Sequence, residues 1–371
     1  MDVMSVSIDI TGLESEQISV VPSPLAELGM ALHALSEPAH HPGLRAWTTS
    51  VSASLDACLA DRLCQADFLW RSTFSDIFMP FAGMPGRDAR PGAALAEELD
   101  LLDKLSDEQF VDAALEFTCQ HTYAGRSVNR IDDPEVRERA LELSAARGTH
   151  QVRFTQRLLD DPPAVRAWLR VLLQDCDEAF FADVWARVRP RLTADTRHKR
   201  ELLRRKGLRA ALQETSASVA LDEAGRTVTV DKISVGHTAT EGGGLVLMPT
   251  SLGWPHLWVL HREHWLPSIV YPVSSPGLSA PPSVEQVTLR MSALAHPVRM
   301  RLCRHLARGS YTTSELADAH AMTAPEISRH LSVLKKAGLV TAERHGRYVR
   351  HQLDLSVVSR LGGDFIEGVL R

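Results

Sequence analysis

Apolar residues recur every three to four positions through residues 24–35, 45–62, 93–121, 134–147, 150–159, 163–188 and 193–205. That spacing predicts helices that bury one face, and several of them follow an Asp, Ser or Pro start signal. Ahead of them, two short alternating runs at 6–10 and 17–21 read as weak strands. The stretch 79–92 holds three Pro and three Gly and is predicted to be irregular. From Ala217 the period shortens to two: 218–221, a turn at 222–226, and 227–231 form a predicted hairpin. Further short apolar runs at 245–249, 257–261 and 268–273, rich in β-branched or aromatic residues, bring the expected strands in 217–273 to about five. A Pro- and Ser-rich stretch follows, and 274–284 reads as a semi-rigid linker.

Beyond the linker, 284–294 and 298–308 are predicted helices separated by Pro297, with Val287, Met291 and Leu294 on one face of the first and Val298, Leu302 and Leu306 on one face of the second. Two capping boxes come next, Thr312 with Glu315 and Thr323 with Glu326, starting a short helix at 315–320 and a longer one at 324–337. Two helices joined by so short a turn form a helix-turn-helix. In the second, Ile327, Leu331 and Leu334 face a core, while Ser328, Arg329, Ser332, Lys335 and Lys336 lie mostly off that stripe. Such a helix fits a DNA major groove about 12 Å wide; a merely solvated charged face is the alternative. The segment 340–353 reads as two strands joined at His345-Gly346 with a basic tip, which favours the DNA reading because a β-hairpin wing lies along the backbone beside a recognition helix. A final helix at 355–370 carries Leu355, Val358, Leu361, Phe365 and Val369 as an apolar stripe.

The strings LSALAHPVRMRLCRHLARG (in which Met291 replaces a usual Leu), TTSELADAHAMTAPEISRHLSVLKKAGLV and ERHGRYVRHQL resemble the ArsR family of bacterial winged-helix transcriptional regulators over about 85 residues, 285–371. The resemblance implies a homodimer joined through the first and last helices of the domain, a double-stranded inverted-repeat operator, and repression released by a signal. It also implies that Thr323, Ser328, Arg329 and His330 face DNA, with Arg344, His345 and Arg347 reaching it from the wing; Ser332 and Lys335 complete the candidate set from the polar face of the helix. For His330 a half-buried place in the helix is the alternative. Classical members bind metal through ELCVCDLC, and here Glu315-Leu316-Ala317-Asp318-Ala319-His320 has Ala317 and Ala319 where thiolates would stand. The other familiar metal site needs His on the last helix, which offers Asp364 and Glu367 but none. Neither a metal site nor a cofactor is therefore expected.

Charge sharpens this division. The whole chain of 371 residues, 44% hydrophobic and 23% charged, has a net charge of −5, yet residues 286–371 alone carry +6 and the remainder −11. A basic segment on an acidic body suits one part that meets a polyanion and one that does not. The length suits about two or three domains. The expected architecture is α+β: a mainly helical N-terminal region, 1–273, with a small antiparallel β segment, then the linker and the winged helix-turn-helix at 285–371. Whether 1–273 is one domain or a helical and a β subdomain stays open. Its overall look is similar to an uncharacterised domain fused to such regulators in actinobacteria, with no function to transfer.

The opening MDVMSVSIDITG lacks a basic start, so no targeting segment is expected; residues 242–261, broken by Pro249, Gly253 and Pro255, make a poor membrane span. A cytoplasmic protein with no membrane partner is expected, its five Cys reduced and scattered. Cys58 and Cys64, six apart, would sit on different faces of a helix. Residues 253–265 hold Trp254, Trp258 and Trp265 with His256, His261 and His264, which either line a pocket for an apolar ligand or belong to a core. His256, His261, His264 and Glu263 could bind a metal, but the HREH string is not the zincin HExxH and its flanks read as strand. No nucleophile elbow, phosphate loop or dinucleotide fingerprint occurs. The expectation is a non-enzymatic, homodimeric regulator controlled by a non-metal small-molecule effector at 1–273. The alternatives are an N-terminal enzyme with a DNA-binding tail, and an N-terminal protein-docking module.

Overall fold

The computed structural model describes residues 5–71, 74–86, 89–119, 133–232, 235–240, 242–273, 283–345 and 348–370. The chain divides into two compact units, Met1–Leu278 and Ser279–Leu370. Most of the expected linker, 274–282, lies outside the described residues.

The first unit opens with β1 (Ser5–Asp9) and β2 (Ile18–Val20), then α1 (Pro24–Ser36), α2 (Arg45–Ser54), α3 (Ala57–Ala66), α4 (Leu95–Lys104), α5 (Asp107–Cys119), α6 (Pro134–Ala145), α7 (Thr149–Asp160), α8 (Pro162–Cys176) and α9 (Ala182–Gln213). Strands β3 (Val219–Leu221), β4 (Thr227–Asp231), β5 (Gly236–Ala239), β6 (Leu245–Thr250), β7 (Trp258–Leu260) and β8 (Ser268–Pro272) follow.

Three helical predictions need correction. The run 45–62 is two helices, because the Asp56 carboxylate accepts from Leu59 N–H at 2.9 Å and starts α3 afresh. Within 93–121, Ser106 and Gln109 close a reciprocal cap that ends α4 and begins α5. Conversely, Pro190 does not stop the helix expected to end at 188: α9 runs through it to Gln213, with non-helical angles at Gly207. A π-helical turn, Asp177–Phe181, joins α8 to α9.

The expected antiparallel segment is two mixed four-stranded sheets. One has the order β3-β4-β1-β5 and the other β2-β6-β8-β7. β1 is parallel to β5, β2 to β6, and β6 to β8; the predicted β3–β4 hairpin is antiparallel. Because β1 and β2 enter sheets built otherwise from 219–272, the helical and β parts form one unit. β6 shows how. Its residues are buried on both faces, Leu245 and Leu247 in a core shared with Ile8, Val228 and Tyr271, and Val246 and Met248 in the large helical core with Leu25, Phe78 and Leu102. A strand covered on both sides reads as a continuous apolar run, as LVLM does. Trp265 is core and Trp258 packs against it, which favours the core reading of this aromatic stretch over a ligand pocket.

The second unit comprises α10 (Val284–Leu294), α11 (Pro297–Leu306), β9 (Tyr311–Thr312), α12 (Thr313–His320), α13 (Ala324–Lys336), β10 (Val340–His345), β11 (Tyr348–Leu353) and α14 (Leu355–Leu370). Leu302, Leu306, Leu316, Ile327, Leu331, Leu334, Leu339 and Leu353 form its core. β9 was not expected: two residues pair with β11 and make the hairpin a three-stranded sheet. The α14 stripe departs from expectation too. Leu355, Phe365 and Val369 are 55%, 46% and 56% exposed rather than buried in the unit's own core, and Met291 on α10 is 37% exposed.

Candidate nucleic-acid interface

Helices α12 and α13 are each started by the capping box read from the sequence. Thr312 N–H and Oγ1 donate to Glu315 Oε2 at 2.6 and 2.9 Å, and Thr323 does the same to Glu326 at 2.9 and 2.7 Å. These hydrogen bonds hold both glutamates below the usual carboxylate range. Between the helices, Ala321 takes the left-handed conformation (φ 51°, ψ 45°) that closes α12. Gly338, at φ 71°, ends α13 where a side chain would be strained.

Ile327, Leu331 and Leu334 anchor α13 in the core. One residue further round, Ser328, Ser332 and Lys335 follow at i, i+4 and i+7, flanked by Arg329 and Lys336, and all five are exposed. Thr323 is also exposed, though its hydroxyl proton is held by Glu326. Arg329 Nε reaches back to the Pro325 carbonyl at 3.3 Å. His330 is half-buried, its ring 5.0 Å from that of His296, and burial together with His296 and Arg299 lowers its pKa. Among the described candidates it is the least presented to solvent. His296 Nδ1 in turn accepts from Val298 N–H and caps α11.

The wing forms by antiparallel pairing of Val340 with Leu353 through His345 with Tyr348. Arg344 is exposed on β10. Arg347 lies outside the described residues, as does the side chain of His345. Sequence reasoning did not single out His351, half-buried on β11, whose pKa is lowered by burial and then by Lys335 of the candidate helix. That influence joins residues of two different elements and has no local sequence signature.

Ala317 is buried in the core, so the first departure from the family's thiolate positions is filled by packing. In the first unit, the aromatic stretch comes apart chemically. His261 Nδ1 lies 3.1 Å from the Val259 carbonyl, and His264 and Glu263 are exposed. His256 instead is buried beside His33 and His41, two residues the sequence reading passed over. Cys58 and Cys64 are free and exposed on α3, and Cys176 and Cys303 are free and buried.

Residues 4–277 match a family of unknown function, DUF5937. The chain belongs to that family. Separately, residues 294–343 match a helix-turn-helix domain family, which covers the end of α10 through most of β10. Over this region the chain is 40% identical across 81 residues to the HTH-type transcriptional repressor SmtB of Mycobacterium tuberculosis, 21% of this chain and 60% of that protein. It is 32% identical across 76 residues to the biofilm growth-associated repressor of Agrobacterium fabrum, 20% of this chain and 65% of that protein. The chain thus spans less than two thirds of the length of these curated relatives. Among solved structures it is similar to a homodimeric winged helix-turn-helix DNA-binding domain from Mycobacterium bovis, described as a possible ArsR-family transcriptional regulator, with 30% identity, 23% of this chain and 79% of that one covered, and a TM-score of 0.21. Among the described residues no helix is long and apolar enough to cross a membrane.

Proposed function

We propose that this DUF5937 protein is a DNA-binding transcriptional regulator, a repressor that acts in the cytoplasm as a homodimer on an inverted-repeat operator. The observation that carries this reading is the exposed face of α13, Ser328, Arg329, Ser332 and Lys335 in helical register, set in a helix-turn-helix with a wing. Short polar side chains let the helix approach base edges, and the cations neutralise phosphates. His330, Thr323, Arg344, His345 and Arg347 complete the proposed contact set. Related repressors over the same segment support the regulatory role.

The dimer is proposed to form through α10 and α14. Val284, Leu289 and Met291 on the first and Phe365 and Val369 on the second leave their apolar side chains 37–56% exposed, and a second copy of the same face would cover them in a two-fold interface. The signal is proposed to enter through residues 1–273 as a small-molecule effector and not through a metal on the helix-turn-helix. No enzymatic activity is proposed, since the sequence carries no recognised catalytic motif.

Selection of bound duplexes from a random pool by the full-length protein tests this reading. An inverted repeat with half-sites about one helical turn apart is expected; a pool that stays random after repeated rounds would overturn it.

A further inference from the structure

We propose that His33, His41 and His256 bind one first-row divalent transition-metal ion, with Zn2+ the leading candidate. One ring nitrogen from each residue lies within 4.8 Å of the others, and all three residues are buried, at 4%, 0% and 7% exposure. They come from three places in one unit: the last turn of α1, the loop that precedes α2, and the loop between β6 and β7. Two nitrogens bound to the same tetrahedral ion at about 2.0–2.1 Å stand roughly 3.3 Å apart. His33 Nε2 and His256 Nε2 are already 3.0 Å apart, so small side-chain rotations close the set.

The hydrogen bonds around the cluster are those a ligand set has. His33 Nδ1 is 2.6 Å from the Trp70 carbonyl. A carbonyl only accepts, so Nδ1 carries the proton and Nε2 keeps its lone pair for the centre of the cluster, the arrangement in which a backbone carbonyl orients a metal-bound imidazole. His41 is the less easily explained residue. It is fully buried, and among the described residues neither ring nitrogen has a partner in good hydrogen-bond geometry, the Trp254 backbone giving only a weak contact, although buried polar atoms are nearly always satisfied. A metal ion supplies that missing partner.

The donor set selects the ion. Three imidazoles with no carboxylate in the cluster suit Zn2+, Ni2+, Co2+ or Cu2+ and not the oxygen-seeking Mg2+ or Ca2+. His40 stands beside the trio, its ring 5.7 Å from that of His33 and 5.4 Å from that of His256, with a buried Nδ1 that has no partner among the described residues; it is the natural source of a fourth ligand. Trp258 packs edgewise on His33 and tilted on His256, at 5.8 and 4.8 Å, and anchors the cluster to the core. The proposal rests on the first unit alone and stands or falls independently of DNA binding.

The test uses untagged full-length protein stripped with chelator and dialysed against Zn2+ and, separately, Co2+. One ion per chain is expected, with the intense visible absorption of four-coordinate Co2+ and a melting temperature that rises with metal. His41→Gln and His256→Gln should each weaken binding by about 100-fold or more, with the metal-free melting transition of each variant recorded to show that it folds. Absence of stoichiometric binding overturns the site. So does stoichiometric binding that survives His41→Gln, since the ion would then sit elsewhere.

Discussion

Arg290 Nη1 lies 2.6 Å from Asp364 Oδ2, a bond between the first and last helices of the C-terminal unit in which the Asp364 side chain is only 5% and Arg290 13% exposed. Arg360 adds a second, longer contact to the same carboxylate at 3.8 Å. The pair sits on the helices whose apolar faces are proposed to meet in the dimer. Removing one partner leaves the other charge buried without compensation. Asp364→Ala should destabilise the C-terminal unit by about 3 kcal/mol or more and weaken self-association. Denaturant unfolding and sedimentation of the full chain measure both; an unchanged midpoint would show that the pair contributes little.

Arg329 and Arg344 separate two kinds of contact. Arg329→Ala should cost about 1–3 kcal/mol on the best-bound duplex and little on others, lowering discrimination. Arg344→Ala, like Arg347→Ala, should weaken binding to all duplexes alike and reduce the salt slope by about one. Affinities across a salt series for the two classes of duplex distinguish them. Equal losses on specific and non-specific DNA for Arg329→Ala would remove it from base readout.

Ala321 holds a left-handed conformation that costs an L-residue about 1–2 kcal/mol. Glycine adopts it freely but loses more freedom on folding. Ala321→Gly should therefore stabilise the winged helix by about 0.5–1 kcal/mol without altering its DNA preference. A fall in stability would mean that the Ala321 methyl packs usefully.

Two buried carboxylates set an opposite trend from the histidine cluster. Burial pushes Glu27 up to about 7, against hydrogen bonds from the Thr250 side chain and the Ser251 and Leu252 backbone, and Glu98 up to about 8, against bonds from Leu25, Ser23 and Gly92. A carboxyl whose folded pKa exceeds its unfolded value stabilises fully below about pH 4.5 and loses that contribution as pH rises through 7. His33 and His41, depressed from 6.5, contribute above about pH 6.5 and lose the contribution as pH falls through 4 and 3. Glu27→Gln should be more stable than the parent at pH 8, by up to about 3 kcal/mol, and the gain should vanish near pH 4.5. A gain that did not change with pH would assign it to packing instead of ionisation.

Legibility followed locality. The capping boxes at Thr312 and Thr323, the Ile327–Leu331–Leu334 stripe and the 340–353 hairpin are written within a few residues of one another, and the C-terminal unit could be drawn from them. The mixed sheets could not, because β1 pairs in parallel with β5 across 230 residues and periodicity carries no pairing information. Asp56 and Ser106 were readable as helix starts but were masked by apolar spacing that continued across them. The exposed stripe of α14 looks the same in sequence whether it covers its own core or a second chain. His256 was noticed for its neighbours His261 and His264, whereas its structural companions are His33 and His41, 223 positions away in the case of His33.

The most direct measurement is the ratio of affinities of the full-length protein for its best selected duplex and for random duplex at one physiological salt concentration. The account predicts specific binding about 10^3-fold or more tighter, with the ratio collapsing in Arg329→Ala. A ratio near one, with the same salt slope on both duplexes, would contradict it and leave the winged helix a sequence-blind tether.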